Sequence, residues 1–283
     1  MVVADIILTA IGLSALVFAS VHDIKTREVP DWLSYSLIVS GFGIRLVHSL
    51  VFSDFWYLFY GLLGFGVMFA VGLLMYYSKQ WGGGDAKLIM GLGVVFASSS
   101  FDGQNFLVGF WINVLIIGAL YGLAWSIYLA VKNWGGFVKS FKKVLVKKRR
   151  IRRIALVFSL LVIISLFFVQ ISYIRFALCV AALFFISYSY LVVFVKAVED
   201  SCMHKWIPVS KLTEGDWVAK PVYVNKKIVC GPKDLGLEKC QINILKKARI
   251  KKVFIKEGIP FVPSFLIAVI VTLIFGNIIF LSL

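Results

Sequence analysis

Two aspartates, Asp23 and Asp85, stand at the ends of long apolar stretches. Asp23 closes the first stretch, and Asp85 opens the fourth, 62 residues further along the chain. In membrane proteins, ionisable residues at such positions are functional candidates by default. Two carboxyl groups held together can divide the work of a hydrolysis, because one takes a proton from water and the other donates one. We therefore take Asp23 and Asp85 as candidate catalytic residues.

Three consecutive glycines, Gly82, Gly83 and Gly84, come directly before Asp85. They carry no side chain that would block a close approach, and glycine adopts backbone dihedrals that other residues avoid. We expect a loop here against which an extended substrate segment could lie. The alternative interpretation is that the glycines serve packing alone.

The composition tells what kind of elements must position these residues. The chain has 283 residues, of which 60% are hydrophobic and only 16% charged, with a mean hydropathy of +0.92. These values exclude an ordinary water-soluble domain and predict an all-α polytopic membrane protein. About 20 apolar residues cross the hydrocarbon core as a helix, which predicts eight spans: Val2–Val21, Trp32–Val51, Phe55–Tyr77, Ala86–Ser99, Asn105–Val131, Ile154–Val169, Phe176–Val195 and Ile259–Leu281.

The basic residues predict the orientation of these spans. Of the 30 Lys and Arg residues, 28 lie in four alternate segments: 22–31, 78–87, 132–153 and 196–258. Because positive residues stay in the cytosol, both termini are expected outside and both aspartates at the cytosolic boundary of a cell membrane. Segment 132–153 holds ten basic residues and no acid. Between two spans it is expected to contact anionic lipids, and no motif suggests nucleic acid as a partner.

Charge and apolarity divide the chain into five parts. We expect a membrane core of five helices at 1–131, a basic cytosolic loop at 132–153, a transmembrane hairpin at 154–195, a small cytosolic α+β domain at 199–258 and a final membrane helix at 259–283. Within 199–258 the pattern predicts strands and one amphipathic helix: strands at Trp217–Val224, Lys227–Cys230 and Val253–Lys256, and the helix at Leu235–Arg249.

Four cysteine and histidine residues outside the apolar stretches have the right chemistry for zinc: Cys202, His204, Cys230 and Cys240. Their spacing matches no familiar zinc-ligand arrangement. We expect reduced thiols, no metal and no cofactor.

Two short motifs resemble those of a known family. Residues 23–32 read Asp-x-Lys-x-x-x-Val-Pro-Asp-Trp, and residues 82–87 read Gly-x-Gly-Asp-Ala-Lys. In order, spacing and topology they resemble the type IV prepilin peptidases, which are membrane aspartyl proteases of the Gly-x-Gly-Asp type. The late polar domain, and the lack of a Cys-x-x-Cys pair in an early cytosolic loop, are more similar to the archaeal branch, which includes the preflagellin (prearchaellin) peptidases.

The resemblance implies that Asp23 and Asp85 are the catalytic pair. It implies an endopeptidase that removes a short basic leader from pilin or archaellin precursors, just before their hydrophobic helix. The family usually has fewer than eight spans, and the hairpin 154–195 is the surplus.

Four charged residues near the pair are possible auxiliaries. Lys25 and Lys87 could tune the pair or hold lipid phosphate, or could simply reach the membrane interface. Glu28 and Asp31 could receive the basic leader, or could cap the next helix. The helix dipole further predicts an ionised Asp85, at the start of a helix, and a protonated Asp23, at the end of one.

Other classes of protein also pair carboxylates in a membrane. A transporter or ion channel would place them near the midplane, on broken helices in related halves. A presenilin-like intramembrane protease shares Gly-x-Gly-Asp but carries Tyr-Asp and Pro-Ala-Leu motifs, which do not occur in this sequence. A partner-binding domain on an inert anchor would leave the pairing of Asp23 and Asp85 unexplained.

Overall fold

The computed structural model describes residues 3–97 and 106–276, and within these ranges most of the chain is helical. The α-helices are α1 (Val3–Thr26), α2 (Asp31–Phe52), α3 (Phe55–Tyr77), α4 (Gly83–Val95), α5 (Phe106–Lys132), α6 (Trp134–Lys147), α7 (Arg149–Ser165), α8 (Ser172–Val198), α9 (Lys239–Lys247) and α10 (Val262–Phe275). The short strands are β1 (His204–Pro208), β2 (Trp217–Val218), β3 (Val222–Val224), β4 (Lys227–Cys230) and β5 (Lys252–Lys256).

Five of the described helices are long and apolar enough to cross a membrane: α1, α2, α3, α5 and α8, the last counted through to Met203. The other three predicted spans correspond to shorter helices, α4 with 13 residues, α7 with 17 and α10 with 14. At 1.5 Å per residue, α4 is about 20 Å long, shorter than the roughly 30 Å hydrocarbon core. The predicted span ends at Val2, Ser99, Asn105 and Leu281 lie outside the described residues.

The chain divides into two units, residues 1–123 with 207–283, and residues 124–206. In the first unit, α4 is the central element, because most of its residues are buried among those of the longer helices and none is exposed. Its contacts with α3 are close enough that Gly64 and Gly93 meet backbone to backbone, and a side chain on either would overlap the other's carbonyl. Small residues permit such close helix packing in membranes.

Arg45 of α2 fixes the far end of α4. Its guanidinium is 1% exposed and donates hydrogen bonds to the carbonyls of Val94 (2.7 Å), Val95 (3.2 Å) and Ala97 (2.6 Å), and to that of Tyr57 (2.9 Å). The last carbonyls of a helix lack hydrogen-bond donors within the helix, and the Arg45 guanidinium supplies donors for them. The sequence marked Arg45 only as a charge within a span.

The small α/β domain (residues 207–257) follows in the same unit. Its three-stranded sheet has the order β1–β5–β2, with β2 antiparallel to β5, and β3 and β4 form a separate antiparallel pair. The expected strand Trp217–Val224 is split in two, and Pro221, which has no N–H to donate, lies in the break. The expected helix starts at Lys239 rather than Leu235, because Gly236 has a φ of +153° and Glu238 caps the helix with Gln241.

In the second unit, α7 and α8 pack together, and Ser159 donates a hydrogen bond to the carbonyl of Ala182 (3.2 Å). Segment 132–153, expected as a loop, is mostly helical. Apolar residues recur on one side of α6, where Phe137 and Val144 are buried, and its lysines occupy the rest of its surface. This spacing is that of an amphipathic helix.

Candidate active site

Asp23 lies in the last turn of α1 and is 4% exposed. Its Oδ2 accepts a hydrogen bond of 3.0 Å from the backbone N–H of Val262, the first residue of α10. The helix stops three residues later, because Arg27 adopts a left-handed φ of +64°. The carboxyl group is therefore held at the point where the chain turns away from α1.

Asp85 is the third residue of α4 and is only partly buried. Its Oδ2 accepts a hydrogen bond of 3.1 Å from the N–H of Gly82, which closes the first turn of the helix. A carboxylate is favourable at this position, since the first N–H groups of a helix lack partners and carry partial positive charge. The first turn of α4 therefore supplies the N–H group that holds the Asp85 carboxyl group.

The fold brings the two aspartates together from opposite ends of their sequence segment. Buried side chains of α1, such as Leu16 and Ala19, and of α4, such as Leu88 and Leu92, belong to one apolar core. The carboxyl groups of Asp23 and Asp85 are close enough to interact electrostatically. Two acids thus lie near one another beside a buried core, and acid–base chemistry uses pairs of such groups.

The three glycines before Asp85 have different surroundings. A Cβ on Gly84 would lie 3.0 Å from Cβ of Val29 and 3.2 Å from its backbone N and O, so this glycine is needed for the contact between the two motifs. A Cβ on Gly82 or Gly83 would meet atoms only at 3.5 Å and 3.7 Å. Gly83 and Gly84 are the first two residues of α4, so the expected loop reaches only to Gly82, and positive φ among the described glycines occurs elsewhere, at Gly215, Gly236 and Gly276.

The four auxiliary candidates divide into a pair and two exposed residues. Lys87 and Asp31 form an ion pair of 2.7 Å, and the Lys87 ammonium also lies 5.6 Å from the ring centre of Tyr35. This pair joins α4 to the start of α2. Lys25 and Glu28 are exposed.

Two residues at the site were missed by the sequence reasoning. Tyr121 of α5 has a buried hydroxyl group, and the residue interacts electrostatically with Asp23 and Arg27. Val262 contributes a backbone group, which no side-chain motif reveals. A polar hydroxyl group within a predicted span was the available signal for the first, although the same span also contains Asn113, Ser126 and Tyr128.

The helix-dipole argument does not separate the two carboxyl groups. Asp85 accepts an N–H at the start of its own helix α4, and Asp23 accepts one at the start of α10. Each therefore faces the positive end of a helix. The expectation that only Asp85 is so placed was wrong, because α10 approaches Asp23 from the other end of the chain.

The zinc-type residues are dispersed. Cys230 is buried in the core of the small α/β domain, whereas Cys240 is exposed and its Sγ donates a hydrogen bond to the carboxylate of Glu238. Cys202 lies beside the carbonyl of Leu129. Within the described ranges, no group of three or more His, Cys, Asp or Glu residues is placed to hold a metal ion.

Comparison with known proteins bears on this site directly. Residues 10–127, which include both aspartates and all three glycines, match the model of the type IV leader peptidase family. The match covers these residues and not the rest of the 283-residue chain. No solved structure matches it.

Its relatives are archaeal. The chain is 36% identical over 85 residues to a preflagellin peptidase of Methanocaldococcus jannaschii, covering 30% of this chain and 36% of the relative. It is 30% identical over 142 residues to a preflagellin peptidase of Methanococcus voltae, covering 47% and 60%. A prepilin peptidase of Methanothermobacter thermautotrophicus is 31% identical over 88 residues, covering 31% and 23%. The matched regions thus span 60% or less of these relatives' lengths.

Proposed function

We propose that this protein is a membrane aspartyl endopeptidase that removes the short basic leader of pilin or archaellin precursors. The observation that carries the proposal is that Asp23 on α1 and Asp85 on α4 are near enough for their charges to interact, and that each carboxyl group accepts a hydrogen bond from a backbone N–H. The family match and the relatives named preflagellin and prepilin peptidase support this reaction.

The chemistry follows from two carboxyl groups that share one proton. The ionised member takes a proton from water, and the resulting hydroxide adds to the carbonyl carbon of the scissile peptide bond. The protonated member donates its proton to the carbonyl oxygen. The tetrahedral intermediate then collapses and the C–N bond breaks: the leaving amine takes up the proton that the first carboxyl group had accepted, and one hydroxyl group of the intermediate returns its proton to the second carboxylate, which leaves a carboxylic acid product and restores the pair. Two carboxyl groups held close together do not both ionise cheaply, so a pair of this kind keeps one proton.

Acidic groups near the site suit a basic leader. Burial raises the pKa of the Asp216 carboxyl above its ordinary value, and a hydrogen bond from the N–H of Thr213 opposes the rise. Repulsion by Glu28 and Glu257 raises this pKa further, because these three acidic groups lie near one another. Glu28 follows Asp23 by five residues, so this acidic group lies on the chain beside the proposed catalytic pair. We expect the leader's basic residues to lie against Glu28 rather than Asp31, whose carboxylate is paired with Lys87.

We place the site at the cytosolic face of a multi-pass cell-membrane protein. The support is the 28 basic residues in four alternate segments, which follow the positive-inside rule. In the second unit, a cleft of about 320 Å³ has apolar walls and two lysines; Lys196 is paired with Glu199 (3.1 Å) and Asp200 (3.2 Å), so we expect Lys148 to be the cation that meets an anionic lipid. Its lining consists of Lys148, Leu191, Val192, Val195, Lys196 and Glu199.

The reaction is tested with purified protein in phospholipid vesicles and a pilin-type precursor, with products followed by gel shift and located by mass spectrometry. Asp23→Asn and Asp85→Asn should each lower the cleavage rate by about 10³-fold or more, since each removes one half of the acid–base pair. Asp31→Asn is the matched control, and it should cleave within a few-fold of wild type. Full cleavage by either of the first two variants would refute the proposal.

The lipid contact has its own test. Native mass spectrometry of protein from vesicles with and without phosphatidylglycerol should show retained anionic lipid, and Lys148→Gln should retain less. Lys246→Gln, which changes an exposed lysine on α9, is the control. Equal retention by both variants would remove the cleft as a lipid site.

A further inference from the structure

The last described helix begins directly against Asp23. Val262, the first residue of α10, is 0% exposed, and its N–H points to a carboxyl group 239 residues earlier in the chain. The first N–H groups of any helix need partners from outside it. The residue before the helix, Phe261, supplies no side-chain hydrogen bond as a cap. The carboxyl group of Asp23 therefore takes the place of a capping residue for α10.

The segment that precedes Asp85 is held by the same C-terminal part of the chain. Trp81, which is 5% exposed, packs its ring against Phe261 and Phe265, with centroid distances of 5.9 and 5.0 Å. Trp81 immediately precedes Gly82, whose N–H bonds to Asp85. The start of α10 thus contacts the neighbourhood of both aspartates.

Lys79 provides a second attachment on the same segment. Its Nζ donates hydrogen bonds to three successive carbonyls of the small α/β domain, those of Pro232 (3.0 Å), Lys233 (2.9 Å) and Asp234 (3.2 Å). The turn that presents these carbonyls is itself closed by a hydrogen bond from the N–H of Gly231 to Asp234 (2.9 Å). An ammonium has three N–H donors, and this turn offers each of them an oxygen.

We propose that the C-terminal segment 232–262 is a positioning element of the catalytic site, which holds Asp23 through the N–H of Val262 and the loop before Asp85 through Lys79. The inference rests on the proposed function. Residues 232–262 lie outside the family match at 10–127, so this part of the chain completes a site whose acids lie elsewhere. Catalytic groups must stay within about 0.5 Å of their working geometry, and these contacts supply that restraint.

The test compares Val262→Pro with Val262→Ala. Both variants shorten a buried side chain or alter its shape, but only proline removes the N–H that Asp23 accepts. We expect Val262→Pro to lower kcat by about 10- to 100-fold, since misplacement by about 1 Å costs about 100-fold. Its KM should stay within twofold of wild type, because the site for the substrate is unchanged. Val262→Ala keeps the N–H, so its kcat should stay within about threefold of wild type.

Variants of Lys79 give a second, independent test of the positioning role, which applies even if Val262→Pro fails to accumulate in the membrane. Lys79→Met should lower kcat about tenfold with KM unchanged, and Lys79→Arg should recover most of the rate, because arginine also donates to carbonyls. Lys246→Met, at an exposed position on α9, should match wild type.

The outcomes separate this inference from the proposed function. If Asp23→Asn is inactive but Val262→Pro has the kcat of Val262→Ala, the reaction stands and the positioning role of α10 is overturned. If Lys79→Met behaves like Lys246→Met, the role of the small α/β domain is overturned. If Asp23→Asn still cleaves, the proposed function itself has failed.

Discussion

Gly84→Ala examines whether the two sequence motifs must touch for catalysis. The added Cβ would lie 3.0 Å from Cβ of Val29 and 3.2 Å from its backbone N and O, whereas ordinary contact begins at 3.4 Å. The start of α4 or the segment around Val29 must therefore move by about 0.4 Å at the closest contact, a strain of about 1–3 kcal/mol for overpacking. Backbone atoms on one side of the contact leave little freedom to relax.

The expected loss of activity follows from this displacement. Asp85 is the residue after Gly84 and Asp23 precedes Val29 on the other motif, so the movement separates the proposed catalytic pair. If misplacement by 1 Å costs about 100-fold, a shift of 0.4 Å costs about 5- to 20-fold in kcat. The assay is single-turnover cleavage of a pilin-type precursor in vesicles, with saturating enzyme.

Gly83→Ala is the matched control, because its Cβ would meet its nearest neighbour, a ring carbon of Tyr76, at an ordinary 3.7 Å. In the first turn of α4, alanine is also a better helix former than glycine, by up to about 1 kcal/mol. We expect wild-type cleavage within twofold. If Gly83→Ala raises KM strongly and Gly84→Ala changes nothing, the glycines are a surface for substrate and the packing argument is wrong.

Three further predictions concern other contacts. Arg45→Met should lower the stability of the protein in detergent by about 3 kcal/mol, measured by thermal unfolding, because it leaves buried carbonyls of α4 without a donor; an unchanged unfolding midpoint would contradict this. Lys87→Met should cleave within a few-fold of wild type, because its partly exposed pair with Asp31 is worth less than about 1 kcal/mol, and a loss of 100-fold would show a catalytic role. A maleimide should label exposed Cys240 in the native protein but not Cys230, whose thiol is 1% exposed and has a pKa raised by burial to about 11, so that it stays protonated at neutral pH; mass spectrometry that finds Cys230 labelled before unfolding would contradict the fold of the small α/β domain.

The sequence predicted the long apolar helices well because apolar length is a strong, local signal. Five of the eight expected spans correspond to helices of spanning length. The ends of α4, α7 and α10 were predicted too far along the chain, since apolar composition continues past the residues where the described helices end. The strand at Trp217–Val224 was overextended for a similar reason, because β-branched and aromatic residues on both sides of Pro221 mask the break.

Only those groups of the candidate site that belong to side chains could be predicted from the sequence. Asp23 and Asp85 stand out as acids at the ends of apolar spans. The N–H of Val262 is a backbone group from the other end of the chain, and no residue type marks it. The hydrogen bonds from Lys79 to carbonyls 232–234 could not be predicted either, since a lysine beside a membrane span is expected for topology alone.

The central claim is that Asp23 and Asp85 act as one unit on one water molecule. The most direct test measures single-turnover cleavage by Asp23→Asn, by Asp85→Asn and by the double variant. Groups that act together lose their whole contribution when either is removed, so we predict that the double variant is no slower than either single variant, all three being at least about 10³-fold below wild type. Losses that multiply in the double variant, or a single variant within tenfold of wild type, would contradict the claim.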